Sequence, residues 1–179
     1  MTISWQELVT EVGEWSQRNF GDGLPIGSGA LLGVVEELGE FAVAQNHSDR
    51  ADALADATIY LADYCYRNRI SLLMGTPFYT LSEAIGRLCH YHLKGFQGIR
   101  HSPEEIKSLK ESAACNLLAT LRDEALICAV PFEESVMETW QTVKQRDWQT
   151  NKKDGKPTPE FKYPVLSSAE AEKQRGANG

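Results

Sequence analysis

The chain has 179 residues, of which 42% are hydrophobic, and this is enough apolar material for the core of one domain or of two small halves that share a core. A formal net charge of −7 argues against broad binding to nucleic acid or to anionic membranes. Apolar runs stay below the ~18 residues of a membrane span and the first residues lack a signal-peptide pattern, so we expect a cytoplasmic protein that binds neither membrane nor nucleic acid.

Helical periodicity runs through most of the chain, and no segment alternates convincingly as a strand would. A capping-box pattern that opens at Ser4 predicts a first helix that ends near Phe20. A second helix is predicted over about 28–46, and a third continues after a short capped turn to about Asn68. The first half of the chain therefore predicts three helices.

The fourth helix is predicted from proline and glycine positions. Thr76 followed by Pro77 has the pattern of an N-cap and a proline at the first helical position. Gly95 and Gly98 have the pattern of a helix end. We therefore predict a helix that begins just after Thr76 and ends at these glycines.

Two further helices complete the prediction. Ser102 opens a capping box with a proline at the first helical position, which predicts a fifth helix that ends before Pro131, and a sixth is predicted over about 131–150. The sequence thus predicts an all-α bundle of about six helices within one domain, residues 1–150. Residues 151–179 have too little apolar content to order themselves, so they are predicted to form a flexible C-terminal tail.

Two neighbouring helices each carry an acidic seam. The second helix has glutamates whose spacing places them within roughly 100° of one face. The third helix carries aspartates at similar spacing. Most helical acids only face water, but the apolar residues around both seams indicate helices inside a bundle. Clustered carboxylates raise one another's pKa unless a cation neutralises them, and all-oxygen ligands suit Mg²⁺ or Mn²⁺. The acids are Glu36, Glu37, Glu40, Asp49, Asp52, Asp56 and Asp63.

The segments 31–42 and 52–65 resemble the MazG-like, all-α nucleoside triphosphate pyrophosphohydrolases. Members of that family carry E-x-x-E on one helix and E-x-x-D on the next, and these acids coordinate the Mg²⁺ that holds a nucleotide's phosphates. The resemblance implies a MazG-like helical bundle. It also implies Mg²⁺-dependent hydrolysis of a (deoxy)nucleoside triphosphate to a nucleoside monophosphate and pyrophosphate, with Mn²⁺ as a substitute for Mg²⁺.

The metal ligands are implied residue by residue. Glu37 and Glu40 match the first pair and Asp56 matches the closing aspartate. The chain departs from the pattern at Ala53, where the family has a glutamate, and Asp52 one place earlier is the residue that could replace it. Asp52 lies on the Asp56 face of the helix at i,i+4, but its side chain is shorter than that of glutamate.

The resemblance also suggests the other functional residues. Either Glu36 or Glu37 would orient or deprotonate the attacking water, because adjacent acids in one cluster can have different pKa values. Basic residues near the last helix would bind the triphosphate, although a basic helix end also complements the helix dipole. The base and sugar would contact residues of the first helix, although a tryptophan there is also typical of a core. The suggested substrate-binding residues are Lys144, Arg146, Lys152, Lys153, Trp15 and Asn19.

The second half of the chain looks like a degenerate repeat of the first half. Residues 81–130 align with the active half, residues 31–73, and this predicts a tandem pseudo-dimer. In that register Arg87, His90 and Cys115 stand where the metal ligands stand in the first half. One chain would then supply the bundle that relatives build from two subunits, although pairing of two chains into a homodimer remains common in such folds.

Three functions are compatible with the sequence. The first is the pyrophosphohydrolase. The second is a non-catalytic nucleotide-binding or regulatory relative of the MazG-like enzymes. Ala53 and the degenerate second half favour this function. The third is a structural helical bundle or a different carboxylate-metal protein. The sequence has no Glu-x-x-His pair of a di-iron bundle and no P-loop motif.

Overall fold

Six α-helices make up the part of the chain that the structure describes, and no strand occurs there. The structure, a computed structural model, describes residues 4–22, 27–78 and 80–156. The all-α prediction is confirmed. The helices are α1 (Trp5–Phe20), α2 (Ser28–Val43), α3 (His47–Asn68), α4 (Leu81–Gln97), α5 (Pro103–Ile127) and α6 (Phe132–Val143).

Two helices begin where the capping residues Ser4 and Ser102 predict, and Asn46 caps α3, which begins at His47. The side chains of Ser4, Asn46 and Ser102 each accept a hydrogen bond from a backbone N–H three residues later. Ser102 forms a full capping box, because Glu105 also accepts from the Ser102 backbone N–H. The use of Asn46 as a cap also explains why α2 ends at Val43 and not near residue 46.

The predicted start of the fourth helix is wrong. This helix begins at Leu81 with Thr80 as its N-cap, while residues 70–78 form no helix. The backbone N–H of Thr76 donates to the Asn116 side chain at 3.0 Å, and that of Phe78 donates to Thr120 at 3.0 Å. These contacts with α5 satisfy the backbone of the segment and hold it away from a helical path.

The end of the fourth helix was predicted in part. Gly98 is its C-cap with a φ of 63°, in the left-handed region that favours glycine. Gly95 lies inside the helix, where a Cβ atom would come within 2.8 Å of the Ile106 side chain. Gly95 therefore permits close packing of α4 on α5 and does not end the helix.

The last predicted helix is too long. It ends at Val143 and not near residue 150, and turns follow it. Residues 151–156, which the sequence assigns to the tail, fold back: the Gly155 N–H donates to the Asn151 carbonyl at 2.9 Å, and the Asp147 N–H donates to the Gly155 carbonyl at 2.6 Å. The rest of the predicted tail, residues 157–179, lies outside the described residues.

Helix α3 lies at the centre of the bundle, where it contacts α1, α2, α5 and α6. Its apolar face is fully buried, as the sequence predicted for Leu54, Ala57 and Leu61. Helices α4 and α5 form a second packed pair beside the pair of α2 and α3. This arrangement leaves the internal duplication a prediction. Among the described residues, no helix has both the length and the apolar content that crossing a membrane requires.

Candidate functional site

A cavity of about 400 Å³ opens between α1, the start of α2, α3 and the segment that follows α6. This volume is in the range of small-molecule sites. Its wall includes acidic, aromatic and arginine side chains. The lining residues are Val12, Trp15, Ser16, Phe20, Gly27, Gly29, Ala30, Glu37, Asp56, Ile59, Tyr60, Asp63, Arg67, Val143, Arg146 and Trp148.

Glu37 is the buried member of the acidic cluster. It belongs to α2 and retains only 9% of its exposure, because the seam that carries it turns toward α3. Burial, and then the charges of Asp56, Glu40, Glu36 and Asp52 in decreasing order, raise the pKa of Glu37 to about 7. Its carboxyl group is therefore about half protonated near neutral pH.

Asp56 faces the same cavity from α3. Burial and the charges of Asp52 and Glu40 raise its pKa to about 6, while the charge of Arg146 acts in the opposite direction. Neither Glu37 nor Asp56 forms an ion pair with another described residue. The acidic wall thus carries two partly buried carboxylates, and the charge of Arg146 opposes the raised pKa of Asp56 alone.

The other three acids of the predicted site lie outside the cavity wall. Glu36, Glu40 and Asp52 are exposed, yet each raises the pKa of Glu37, so the structure brings all five acids into one electrostatic cluster. Ala53 is only 3% exposed and faces the helix interface, whereas Asp52 faces solvent one residue earlier. The Asp52 side chain therefore points in a different direction from a side chain at position 53.

The donor chemistry of this cluster fits a hard divalent cation, because carboxylate oxygens are the ligands that Mg²⁺ and Mn²⁺ prefer. The uncompensated charge of Glu37 and Asp56 is what such a cation would neutralise. Within residues 4–22, 27–78 and 80–156, however, no three His, Cys, Asp or Glu side chains converge as a group that could hold a metal ion. The exposed acids would have to change rotamer to complete a ligand set.

A buried ion pair forms the wall of the cavity next to the end of α1. Arg67 donates from Nε to both carboxylate oxygens of Asp63 at 2.9 and 3.0 Å and from Nη2 to Ser16 Oγ at 2.7 Å. Its Nη1 donates to the carbonyls of Gly21 and Asp22. Burial raises the pKa of Asp63, opposed by hydrogen bonds and the charge of Arg67. This network holds the end of α1 against α3.

Aromatic side chains form another part of the wall. The Phe20 ring is T-shaped to Trp15, with 5.7 Å between centroids, and tilted to Trp148 at 6.4 Å. Phe20 is 51% exposed although it lines the cavity, so part of its face is open to a ligand. Tyr60 lies across Gly33, where a Cβ atom would come within 2.5 Å of its ring. Such a wall can stack against a planar heterocycle.

Of the four predicted basic substrate ligands, the structure brings one to the cavity. Arg146 lines the cavity, and its charge acts on Asp56 and Tyr60. Lys144, Lys152 and Lys153 are exposed and do not line it. These three lysines are close to Arg146 in sequence. They lie around the loop that follows α6, however, and not at the cavity beside Arg146.

Trp15 and Asn19 were both predicted to bind substrate, and they differ in placement. Trp15 lines the cavity, although it is only 8% exposed and also belongs to the core. Asn19 is buried and does not line the cavity. Its side chain donates to the Trp15 carbonyl at 3.0 Å and accepts from the Trp148 N–H at 2.8 Å, so its amide group is already committed to protein partners. The structure places Asn19 behind the cavity wall, and its contact with substrate stays a prediction.

Among the polar and aromatic residues of the wall, Arg67, Tyr60 and Trp148 were not predicted from the sequence. Arg67 follows Asp63 by four residues on one helix, and this spacing is the usual signal for an ion pair. Trp148 and Tyr60 gave no comparable local signal, because their positions depend on how the segment after α6 and helix α2 pack. Comparison of the chain with protein-family models, with curated proteins and with solved structures finds no match.

Proposed function

We propose that the chain is a metal-dependent nucleoside triphosphate pyrophosphohydrolase that releases a nucleoside monophosphate and pyrophosphate. The observation that carries this proposal is the single cavity that Glu37 and Asp56 share with Arg146 and an open aromatic wall. Acids without an ion-pair partner suit a cation, arginine suits phosphate, and aromatic faces suit a base. The resemblance of segments 31–42 and 52–65 to the MazG-like enzymes supports the same reaction.

In this proposal Glu40, Asp52 and Asp56 hold Mg²⁺ or Mn²⁺, and Glu37 stays outside the ligand set, where its carboxylate can accept a proton. When bound, the cation would offset the charge of the triphosphate and so lower the electrostatic barrier to attack by water. Arg146, which also lines the cavity, would bind the phosphate chain with a second positive charge. The lysines near Arg146, namely Lys144, Lys152 and Lys153, are exposed and would act at most on the outer part of the phosphate chain.

Glu37 is the better candidate for the residue that receives the proton of the attacking water. A general base works best when its pKa lies near the working pH, and burial and neighbouring acids raise the pKa of Glu37 to about 7. Glu36 is exposed and does not line the cavity. Water would add its oxygen to the α-phosphorus, the bond from that phosphorus to the bridging oxygen would break, and pyrophosphate would leave.

The aromatic part of the cavity would hold the base. Phe20 and Trp148 present ring faces beside Trp15, and a cavity of about 400 Å³ has room for a nucleoside with part of its phosphate chain. The ring of Tyr60 lies near the acids, where burial and then the charges of Glu37, Glu36 and Asp56 raise its pKa. Tyr60 therefore stays a neutral hydroxyl that can donate a hydrogen bond. A cytoplasmic location and pairing into a homodimer remain predictions.

A non-catalytic nucleotide-binding protein is the second candidate. Two observations favour it: among the described residues no three acids form a ready ligand group, and a buried Ala53 replaces the glutamate of the MazG-like pattern. Such a protein would use the same aromatic wall and Arg146 but would release no product. The two candidates therefore differ in turnover and agree in binding.

The test is a panel of canonical and modified nucleoside triphosphates, incubated with and without Mg²⁺ or Mn²⁺, with products separated by chromatography. The proposal expects metal-dependent release of monophosphate and pyrophosphate in equal amounts, which Glu40→Gln abolishes. Glu138→Gln is the matched control, because Glu138 is exposed on α6 and the change removes the same charge. Binding without turnover across the panel would support the second candidate, and release of orthophosphate alone would contradict the proposed reaction.

A further inference from the structure

After α6 the chain folds back over the end of α1. Residues 144–156, here called the C-terminal loop, form turns and no helix. Two residues of this loop line the cavity. These are Arg146, the one predicted phosphate ligand that reaches the cavity, and Trp148, which packs beside Phe20. The placement of both groups therefore depends on what holds the C-terminal loop against α1.

Two residues of α1 hold the loop by hydrogen bonds. The Trp148 N–H donates to Asn19 Oδ1 at 2.8 Å, and the Gln149 side chain donates to the Asn19 carbonyl oxygen. Trp15 Nε1 donates to the Arg146 carbonyl at 3.1 Å. The Asn19 Nδ2 group donates to the Trp15 carbonyl at 3.0 Å, which fixes the orientation of its amide. Both cavity residues of the loop are thus tied to one turn of α1.

The C-terminal loop is also braced internally. The Asp147 carboxylate accepts from the backbone N–H groups of Gln149 and Thr150 at 3.0 and 3.1 Å. Gly155 is buried against Trp148: it has a φ of 64°, and a Cβ atom there would lie 2.8 Å from the indole. The loop therefore behaves as one folded unit, and its attachment to α1 decides where that unit sits.

We propose that Asn19 is a positioning residue, which sets Arg146 and Trp148 in the cavity by anchoring the C-terminal loop. The part of this inference that concerns substrate rests on the proposed function. The anchoring of the C-terminal loop by Asn19 does not depend on that function. Asn19 is buried, its side-chain oxygen and nitrogen both bond to protein, and it does not line the cavity, so it acts on a ligand only through the loop. Loss of the anchor weakens ground-state contacts to phosphate and base and leaves the acids on α2 and α3 in place.

The experiment compares the wild-type protein with Asn19→Ala and with a matched control, Asn116→Ala. Asn116 also accepts a loop N–H with its side chain, that of Thr76 at 3.0 Å, but it holds the segment before α4 and is remote from the cavity wall. Hydrogen exchange followed by mass spectrometry reports the C-terminal loop directly and needs no activity. Circular dichroism establishes that both variants are folded.

We expect faster exchange of residues 144–156 in Asn19→Ala and wild-type exchange of the same residues in Asn116→Ala. For the best substrate of the panel, KM should rise about tenfold in Asn19→Ala while kcat changes by less than about threefold, the pattern of lost ground-state binding. Unchanged exchange in a folded Asn19→Ala protein would overturn the proposal, and so would faster exchange with wild-type KM.

A failure of the proposed function is separable from a failure of this inference. If the wild-type protein turns over no nucleotide, its affinity for the α,β-methylene analogue of a deoxynucleoside triphosphate replaces KM as the readout. Weaker analogue binding by Asn19→Ala together with faster loop exchange would keep the positioning role and remove only the catalysis. If the wild-type protein binds no analogue either, the role of Asn19 toward substrate falls with the proposed function.

Discussion

At the scale of single residues, Glu36 and Glu37 show how two adjacent positions of a helix place identical side chains in different surroundings. A step of one residue rotates the side chain by about 100° on a helix, and this places Glu36 in solvent and Glu37 against α3. Helical spacing made the five-acid cluster predictable from sequence. Which acid is buried was not predictable, because it depends on how α2 is rotated on α3.

The raised pKa of Glu37 predicts how stability changes with pH. Its pKa is about 7 in the folded protein and 4.5 ordinarily, so between these values the folded state holds the proton that the unfolded state releases. The stabilising effect is complete below pH 4.5 and is lost as pH rises to about 7. Asp56, with a pKa raised from 3.8 to about 6, changes stability in the same direction at lower pH.

We expect the melting temperature of the metal-free protein to fall between about pH 4.5 and 8, and Glu37→Gln to reduce this fall. At pH 8 the variant should melt roughly 2–4 °C higher than the wild type, which corresponds to about 1 kcal/mol for a chain of this size. Thermal unfolding monitored by circular dichroism in a chelating buffer measures this. Glu138→Gln should follow the wild-type curve, and a Glu37→Gln curve with the wild-type slope would show that burial does not alter this carboxyl group.

The ion pair of Arg67 and Asp63 makes a second prediction at this scale. Arg67→Met leaves the buried Asp63 carboxylate without its charged partner, so we expect a loss of about 2–4 kcal/mol in the free energy of unfolding. The double variant Asp63→Asn with Arg67→Met should lose less than the sum of the two single changes. Urea unfolding measures all three, and additive losses would show that the pair is not coupled.

At the scale of elements, local caps made the starts of α1 and α5 predictable, but not that of α4, which Thr80 caps. Ser4, Asn46 and Ser102 cap their helices with their own side chains, and that information is present in four consecutive residues. The segment around Pro77 has the same local pattern but stays non-helical, because Asn116 and Thr120 on α5 take its backbone N–H groups. Those partners lie about forty residues away in sequence, beyond the reach of a local pattern.

The contact between α1 and α3 gives the prediction for this scale. Gly13 is buried on α1, and a Cβ atom there would lie 1.9 Å from the Tyr66 ring. We therefore expect Gly13→Ala to destabilise the protein by about 1–3 kcal/mol through overpacking, although alanine is the better helix former. The measurement is urea unfolding.

Gly86→Ala is the matched control for this change. Gly86 is an exposed glycine of α4, and a Cβ atom added there meets no atom within 4 Å. Alanine should stabilise the protein at this position by about 0.5–1 kcal/mol. If both substitutions stabilised the protein to the same extent, α1 would not pack on Tyr66 as described.

At the scale of the whole molecule, the cavity is assembled by packing. Its wall draws residues from α1, α2, α3 and the C-terminal loop, which are brought together by the central position of α3. The all-α class followed from helical periodicity along the chain. The cavity did not, because Tyr60 and Trp148 reach it only when α3 and the C-terminal loop pack beside α1 and α2. The acids predicted for it follow helical spacing on two neighbouring helices, and the groups that complete it follow no local pattern.

The role of Glu37 can be tested by the rates at which the wild-type protein and Glu37→Gln release pyrophosphate from the best nucleoside triphosphate at saturating Mg²⁺. Glu37 is the buried acid that shares the cavity with Asp56 and Arg146. We expect metal-dependent release of pyrophosphate by the wild type and a kcat at least about 100-fold lower in a folded Glu37→Gln protein. Release at the wild-type rate by that variant would contradict this expectation, because the cavity would then not be where the phosphate bond is broken.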